Sequence, residues 1–346
     1  MKATLKYSKS DIDKAGDVLA GIPDSKINQN SAIEILENFR SIQIHPLIVF
    51  RMSLQRKSKT ISNDVLISQR LKRAPSIVNK LKIQKNMSLS QMQDVGGLRA
   101  VLNNLTDVYK LKEFIRSGEK QAAFKSTLLK EIDYIKDPKE SGYRSIHLVY
   151  RYGKNTSPES QCRIEIQIRT KIHHAWATAV EVIGTYLRQP LKQSFGDQEL
   201  LDLFKEISKV FILLENEEND IELFKKTSAK INELKLREKL KGFSVATQIS
   251  TQDNKKLKGK YFLISLNFKD RTLSVRRFPE SKLDQANNAY SELEKRYLND
   301  KNTEVVLVSV DDINNLGKLY PNYFLDTQEF VKLLNIIDQK IIENEK

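Results

Sequence analysis

The pattern of apolar and polar positions along the 346-residue chain changes period several times, and each change marks an element. Residues 10–20 and 31–42 carry apolar side chains three and four apart, with Asn30 and Ser31 as cap candidates, and predict helices. Five runs of β-type composition follow: VLISQRLK (65–72), GLRAVL (97–102), LLKEIDYI (128–135), RSIHLVYRY (144–152) and RIEIQIRT (163–170). Helical patterns at 75–84, 106–118 and 171–187 fall between and after them. Strands interleaved with helices predict a mixed sheet covered by helices. From 197 to about 240 the helical period is sustained, enough for two helices. A linker-like stretch, TQISTQDNKKLKGK (247–260), then leads into strand, turn, strand, a helix at 282–298, the strand VVLVSV and a terminal helix from about 326. The expected division is 1–194 (motif core about 45–190), a helical connector at 195–245, and a small ββαβα unit at 246–346, in an α+β chain.

Composition narrows the classes. A 40% hydrophobic content can fill a core without covalent staples. The single cysteine, Cys162, excludes an internal disulfide and fits a reducing cytosol. The N-terminal stretch has no apolar leader, and the longest apolar runs are too short to cross a bilayer, so a cytoplasmic protein with no membrane contact is expected. The net charge is +14, and residues 1–194 hold 33 Lys/Arg against 18 Asp/Glu, a surplus of +15. A surplus confined to one segment points to a polyanion there, either nucleotide phosphates or RNA. The loop KNTSPES (154–160) adds nothing to this picture.

Within the basic segment several residues could carry chemistry. Asp94 precedes a Gly96-Gly97 pair and a strand bearing Arg99, and alone it reads as easily as a turn residue. In RIEIQIRT strict alternation puts Arg163, Glu165, Gln167 and Arg169 on one face and three isoleucines on the other. That polar face is either an exposed sheet surface or the floor of an active site. Arg70, Lys72, Ser76 and Lys80 flank a strand end and a helix start with Pro75 in its first turn, which suits an anion site or a solvated basic helix. Lys136, Lys139 and Arg144 flank KDPKESGYRSIH, where Tyr143 could stack a base or anchor packing. Four histidines occur, at 45, 147, 173 and 174. No HExxH or GxxxxGK[ST] motif is present, which removes the zinc-hydrolase and P-loop readings.

The order RLKRAPSIVNK, DVGGLR, DYIKDPKESGYRSIH, RIEIQIRT, HHAWA resembles the synthetase domain of the RelA/SpoT alarmone enzymes over roughly residues 45–190. The resemblance implies a nucleotidyltransferase-like mixed sheet and transfer of the β,γ-pyrophosphoryl group of ATP to the 3′-hydroxyl of GDP or GTP. It implies that Arg70 and Arg99 sandwich adenine, that Lys72, Ser76 and Lys80 hold its phosphates, and that Asp94 and Glu165 bind Mg²⁺, with Glu165 activating the acceptor hydroxyl. Tyr143 would stack on the acceptor purine, with Lys139, His147, Gln167 and His174 on the acceptor side. Three positions depart from the family pattern: Ser141 stands where Asn is usual, His174 where a small polar residue is usual, and Val180 where Glu is usual, with Glu181 displaced by one. Donor ATP is therefore better supported than a guanine acceptor. A toxin-like member acting on the tRNA 3′ end or on adenine nucleotides is the alternative, and a silent nucleotide or RNA sensor is a second of another class. A homo-oligomer and a neutralising antitoxin are partners the family allows. No His-Asp pair occurs, so the resemblance implies no hydrolase half. The tail containing YPNYFLDTQEF resembles the tail of some stand-alone members.

Overall fold

The computed structural model describes residues 3–117, 126–153, 162–187, 194–244, 260–267, 272–297, 302–309 and 327–345, with a few single positions between them. The loop at 154–160, most of the 247–260 linker and the YPNYFLD stretch lie outside the described residues.

The N-terminal part packs three helices, α1 (Lys9–Ala20), α2 (Gln29–Ser41) and α3 (Ile44–Lys59), before the first strand. Ser8 and Asp11 close α1 with a capping box, and Asn28, two residues before the expected cap, accepts the Ser31 amide at the start of α2. Helix α3 has no counterpart in the sequence reading. Its PLIVF run has strand-like composition, and helical burial of Leu47, Phe50 and Leu54 on one side shows only once the sheet is there to receive them.

The expected strands all form: β1 (Leu66–Leu71), β2 (Gly96–Leu102), β3 (Ser126–Asp133), β4 (Ile146–Tyr152) and β5 (Arg163–Thr170). Between them lie α4 (Ala74–Ile83) and α5 (Leu105–Ser117), and α6 (Lys171–Tyr186) follows β5. Strand β2 runs parallel to β5 and antiparallel to β1, and β4 pairs antiparallel with both β3 and β5. One face of this sheet is dry. Leu98, Ala100, Ile146, Leu148, Ile164, Ile166 and Ile168 pack there against Ile12, Leu36, Phe39 and Phe50 of the first helices. The opposite face keeps the polar residues of the same strands.

The connector contains three helices rather than two: α7 (Gln198–Glu215), α8 (Ile221–Glu233) and α9 (Leu236–Ser244). The third is set off by Lys235, whose positive φ of 49° breaks the run. They build a second core with α6 and the terminal helix, in which Trp176, Phe204, Phe211, Phe224 and Phe330 are buried.

The C-terminal segment keeps the expected ββαβα order in β7 (Tyr261–Asn267), β8 (Thr272–Phe278), α10 (Leu283–Arg296), β9 (Thr303–Ser309) and α11 (Gln328–Asn344), and adds a short strand, β6 (Gln248–Ile249), inside the stretch read as a linker. It is not set apart from the rest. Strand β9 pairs with β1 at Gln69 and Arg70, so one nine-stranded sheet runs in the order β3-β4-β5-β2-β1-β9-β7-β8-β6. Helix α11 leaves the tail strands and packs in the second core through Phe330, Leu334 and Ile337.

A buried polar cluster ties the helical layer to the sheet. Glu215, at the end of α7, accepts from Arg144 Nη1 at 3.0 Å and from Thr170 Oγ1 at 2.5 Å, and its Oε2 lies 3.0 Å from His173 Nε2. Burial acts to raise the Glu215 carboxyl, but the bond with His173 and the nearby cations hold it below its ordinary value. Burial lowers the His173 imidazole. Removing the carboxylate leaves a buried guanidinium uncompensated, so Glu215→Ala is expected to cost about 3–5 kcal/mol in urea denaturation. Both shifts are downward, so the unfolded chain binds more protons as pH falls. Stability contributed here is full above 6.5, the ordinary imidazole value, and declines below it through the carboxylate range. Urea midpoints measured from pH 7.5 to 4 check the sign.

Candidate active site

The polar sheet face becomes a site because strand register lines up its side chains. Arg70 on β1 lies opposite Gly97, and Gly97 opposite Glu165; Ser68 lies opposite Arg99, Arg99 opposite Gln167, and Gln167 opposite His147. Paired positions point to the same side, so four strands deliver their polar residues to one cleft. Gly97 leaves the floor open between Arg70 and Glu165, since a Cβ there meets only the Arg70 carbonyl oxygen, at 3.9 Å.

At one end of the cleft Asp94 sits just before β2 between two ammonium groups. Lys72 Nζ is 2.7 Å from its Oδ2 and Lys80 Nζ is 2.9 Å from its Oδ1. Burial acts to raise the Asp94 carboxyl, but the two lysines outweigh it and hold the group far below the usual carboxylate range. Lys72 is lowered by its own burial, with Asp94 opposing. Ser76 and Lys80 stand on the first two turns of α4, with Arg73 as N-cap and Pro75 beside it. The fold thus brings Asp94, expected as a partner of Glu165, against the two lysines expected at the donor phosphates.

At the other end, a chain of hydrogen bonds runs from Tyr143 to Glu165. His147 Nδ1 is 2.9 Å from Glu165 Oε1, and the Tyr143 hydroxyl is 2.9 Å from His147 Nε2. Gln167 Nε2 donates to Glu165 Oε2 at 2.7 Å. An ionised carboxylate only accepts, so His147 donates from Nδ1, and with its other nitrogen unprotonated Nε2 accepts from the tyrosine hydroxyl. Burial acts most strongly and would raise Glu165, but the bond and charge of His147 together with the Gln167 bond outweigh it, leaving a net downward shift. Lys139 Nζ lies 4.7 Å from the Tyr134 ring centre and 5.2 Å from that of Tyr143. Tyr143 also meets Trp176 at 6.5 Å between ring centres, so the ring has a packing role. Asp94 and Glu165 act on one another electrostatically, and Lys139 feels both, which places the two ends within one cleft.

The tyrosine is set by a tight turn. The Gly142 amide donates to the Lys139 carbonyl at 2.7 Å, its carbonyl accepts from Ser208 Oγ at 2.6 Å, and its φ is +90°. A Cβ at Gly142 would stand 2.8 Å from Ser208 Cβ on α7.

His174 does not join the Tyr143–His147–Glu165 chain through these bonds. Its Nδ1 accepts from Arg169 Nη2, and it lines a cavity of about 460 Å³ with Lys171, Thr178 and Phe330. Arg169 is the residue the sequence reading placed on the polar face but gave no role. Burial first, then Arg99, pulls its guanidinium down to about 9, with Arg70 adding to the effect and Tyr143 and Glu181 opposing. Two of the departures from the family pattern, His174 and the displaced Glu181, thus both act on Arg169.

Sequence comparison finds relatives for part of the chain. A family model described as "Region found in RelA / SpoT proteins" matches residues 69–189. Residues 69–189 are therefore similar to the region shared by RelA and SpoT proteins. GTP pyrophosphokinase YjbM of Bacillus subtilis is 37% identical over 116 residues, 32% of this chain and 52% of the relative. GTP pyrophosphokinase YwaC of the same organism is 30% identical over 135 residues, 37% of this chain and 62% of the relative. The matches therefore span between about half and three-fifths of these relatives' lengths. Among solved structures, small alarmone synthetase 1 from Bacillus subtilis bound to its product pppGpp aligns at 25% identity and a TM-score of 0.43, covering 53% of this chain and 94% of that one. The structure of smu.1046c from Streptococcus mutans UA159 aligns at 25% identity and a TM-score of 0.40, covering 59% and 98%.

In the RelA/SpoT region of this chain, the described residues form no cluster of three or more His, Cys, Asp or Glu side chains fit to hold a metal. A two-carboxylate pair suits Mg²⁺, which takes one or two protein oxygens and completes its shell from phosphates and water. Gly142→Ala is expected to lower stability by about 1–2 kcal/mol from the backbone alone, with a further loss from the clash with Ser208. Thermal melts of the two proteins measure the sum, and tyrosine fluorescence reports displacement of Tyr143.

Proposed function

We propose that the chain is an ATP-dependent pyrophosphotransferase that uses GDP or GTP as acceptor. The observation that carries this reading is the pairing of an Asp94–Lys72–Lys80 group with a Glu165–His147–Tyr143 chain across one polar sheet face. The names of the relatives support the same chemistry. Arg70 and Arg99 would hold the adenine of ATP, and Lys72, Ser76 and Lys80 its phosphates. Asp94 and Glu165 would hold Mg²⁺, which supplies charge neutralisation on the triphosphate when bound. Tyr143, Lys139, His147 and Gln167 would bind and orient the acceptor.

In the proposed step the 3′-hydroxyl oxygen of the acceptor forms a bond to the β-phosphorus of ATP, the bond from that phosphorus to the α,β-bridging oxygen breaks, and AMP leaves. Glu165, an ionised carboxylate, receives the hydroxyl proton as the new bond makes that hydroxyl acidic. Little covalent work falls to the protein; in-line placement and charge neutralisation dominate. Holding the two substrates on adjacent strands supplies the first, and the lysine–arginine set supplies the second.

A second acceptor class, an adenine nucleotide or the 3′ end of tRNA, is favoured by one observation. His174 and Glu181, which replace the family's usual acceptor-side pattern, both engage Arg169 in place of the Tyr143 chain. Incubation with γ-³²P-ATP, Mg²⁺ and separately GDP, GTP, AMP, ADP or deacylated tRNA decides between them. Label on a guanine nucleotide supports the alarmone reading, label on tRNA or an adenine nucleotide the second, and no label on any acceptor overturns both. Glu165→Gln is expected to reduce transfer by at least about 100-fold while ATP affinity is largely kept. Tyr143→Ala is expected to raise the acceptor KM by about tenfold, the worth of one stacked base, with little change for ATP. Equal loss on both substrates would remove the stacking role.

A further inference from the structure

The junction between β1 and α4, residues 69–74, is gripped by the C-terminal tail at four points. Glu294 on α10 forms a buried pair with Arg40 on α2, at 2.7 Å between Oε2 and Nη1, although 254 positions separate them. The same carboxylate accepts the Ala74 amide at 2.8 Å, the first residue of α4. Tyr290 donates to it at 3.0 Å and accepts from Arg40 Nη2 at 2.9 Å. Arg40 Nε in turn donates to the Lys72 carbonyl at 3.1 Å. Glu304, on β9, lies 2.7 Å from Arg73, and β9 pairs with Gln69 and Arg70.

These contacts bear on donor chemistry through Lys72. Its amide donates to the Val95 carbonyl at 2.8 Å, beside Asp94, and its carbonyl is held by Arg40. Both sides of the residue are therefore fixed, one by the segment leading into β2 that carries Asp94 and the other by the tail-anchored arginine. The start of α4 has few free amides: Pro75 lacks one, and Glu294 takes that of Ala74. A carboxylate already occupies part of the position where a helix N-terminus would receive a phosphate. Donor phosphates must then be held by the side chains of Lys72, Ser76 and Lys80, and so by the placement of this loop. Stability alone does not account for the pair, since a buried ion pair is commonly no better than apolar residues of similar volume.

We propose that Glu294 is a positioning residue for the donor site, through which the C-terminal tail sets the geometry of the loop carrying Lys72, Ser76 and Lys80. The inference rests on the donor reading given above. Three proteins test it: wild type, Glu294→Gln, and the double variant Arg40→Met/Glu294→Met, which removes both buried charges and is checked for native melting behaviour. Binding of an α,β-methylene analogue of ATP with Mg²⁺ is measured by calorimetry, and KM and kcat are measured for each substrate. The expected result is an analogue Kd and ATP KM raised about tenfold in the folded double variant, which loses both the helix cap and the carbonyl clamp, and raised by less in Glu294→Gln, whose amide oxygen still accepts from Ala74. The acceptor KM and kcat at saturating ATP are expected to stay within about twofold. An unchanged ATP KM, or equal loss on both substrates, overturns the proposal.

A measurement on the wild type alone completes the test. Linkage is reciprocal, so the analogue should slow amide exchange in α10 around 290–294 and in β9. Binding without that protection overturns the positioning role. Failure of the wild type to bind the analogue at all overturns the donor reading instead.

Discussion

The dominant constraint on this molecule is like charge held in a partly dry cleft. Arg70, Lys72, Lys80, Arg99 and Arg169 converge on one sheet face, and each is costly there without an anion close by. Asp94 meets that need at one end by sharing its two oxygens between two lysines. Its carboxyl is held ionised by the same cations that depend on it, so the three groups are a unit and none can change alone. Arg169 lacks so close a carboxylate and shows the opposite response, a guanidinium drawn down by burial and by its neighbours. A cleft with this balance favours an incoming polyanion because the ligand relieves a cost already present in the fold.

The same strands make the core and the site, which is why the two cannot drift apart. In β5, Ile164, Ile166 and Ile168 are buried against the first helices while Glu165 and Gln167 face the cleft. A register slip of one residue would expose three isoleucines and bury the carboxylate. The apolar face thus acts as the spacer that sets Glu165 opposite Gly97 and Gln167 opposite Arg99 and His147. Parallel pairing of β2 with β5 is what brings Arg99 into the cleft beside Gln167, and it requires the long crossover that α5, β3 and β4 provide.

What could be read from the sequence is what local period and composition encode. The five strands between 66 and 170 and the helices between and after them follow from alternation and three–four spacing, and the polar face of RIEIQIRT is visible in eight letters. Helix α3 was not legible, because a short apolar run is ambiguous until its partner surface exists. Nor was the joining of β9 to β1, since edge pairing leaves little trace in one strand's pattern. Arg169 could have been singled out, as it shares the parity of Glu165, but its burial is visible only in the folded chain. The grouping of Arg40 with Glu294 had no signal at all. Each lies on an otherwise ordinary amphipathic helix, and only the folded chain brings them together.

Each end of the cleft is buttressed by a different later part of the chain. The turn that sets Tyr143 leans on α7, through Ser208 at the Gly142 carbonyl and through Glu215 at Arg144. The loop that carries Lys72 leans on α10 and β9. Residues 69–189, which match the RelA/SpoT model, hold the side chains of both groups but only some of the contacts that fix them. Those contacts are mostly buried and charged, and charged contacts at such sites are strong in direction even where their net contribution to stability is small. The division follows from strand geometry: a sheet can align side chains along its face, but the loops at its ends need support from outside the sheet. In this chain much of that support comes from residues after 189, with Arg40 of α2 as the link to Lys72, which makes the extension part of the cleft's architecture.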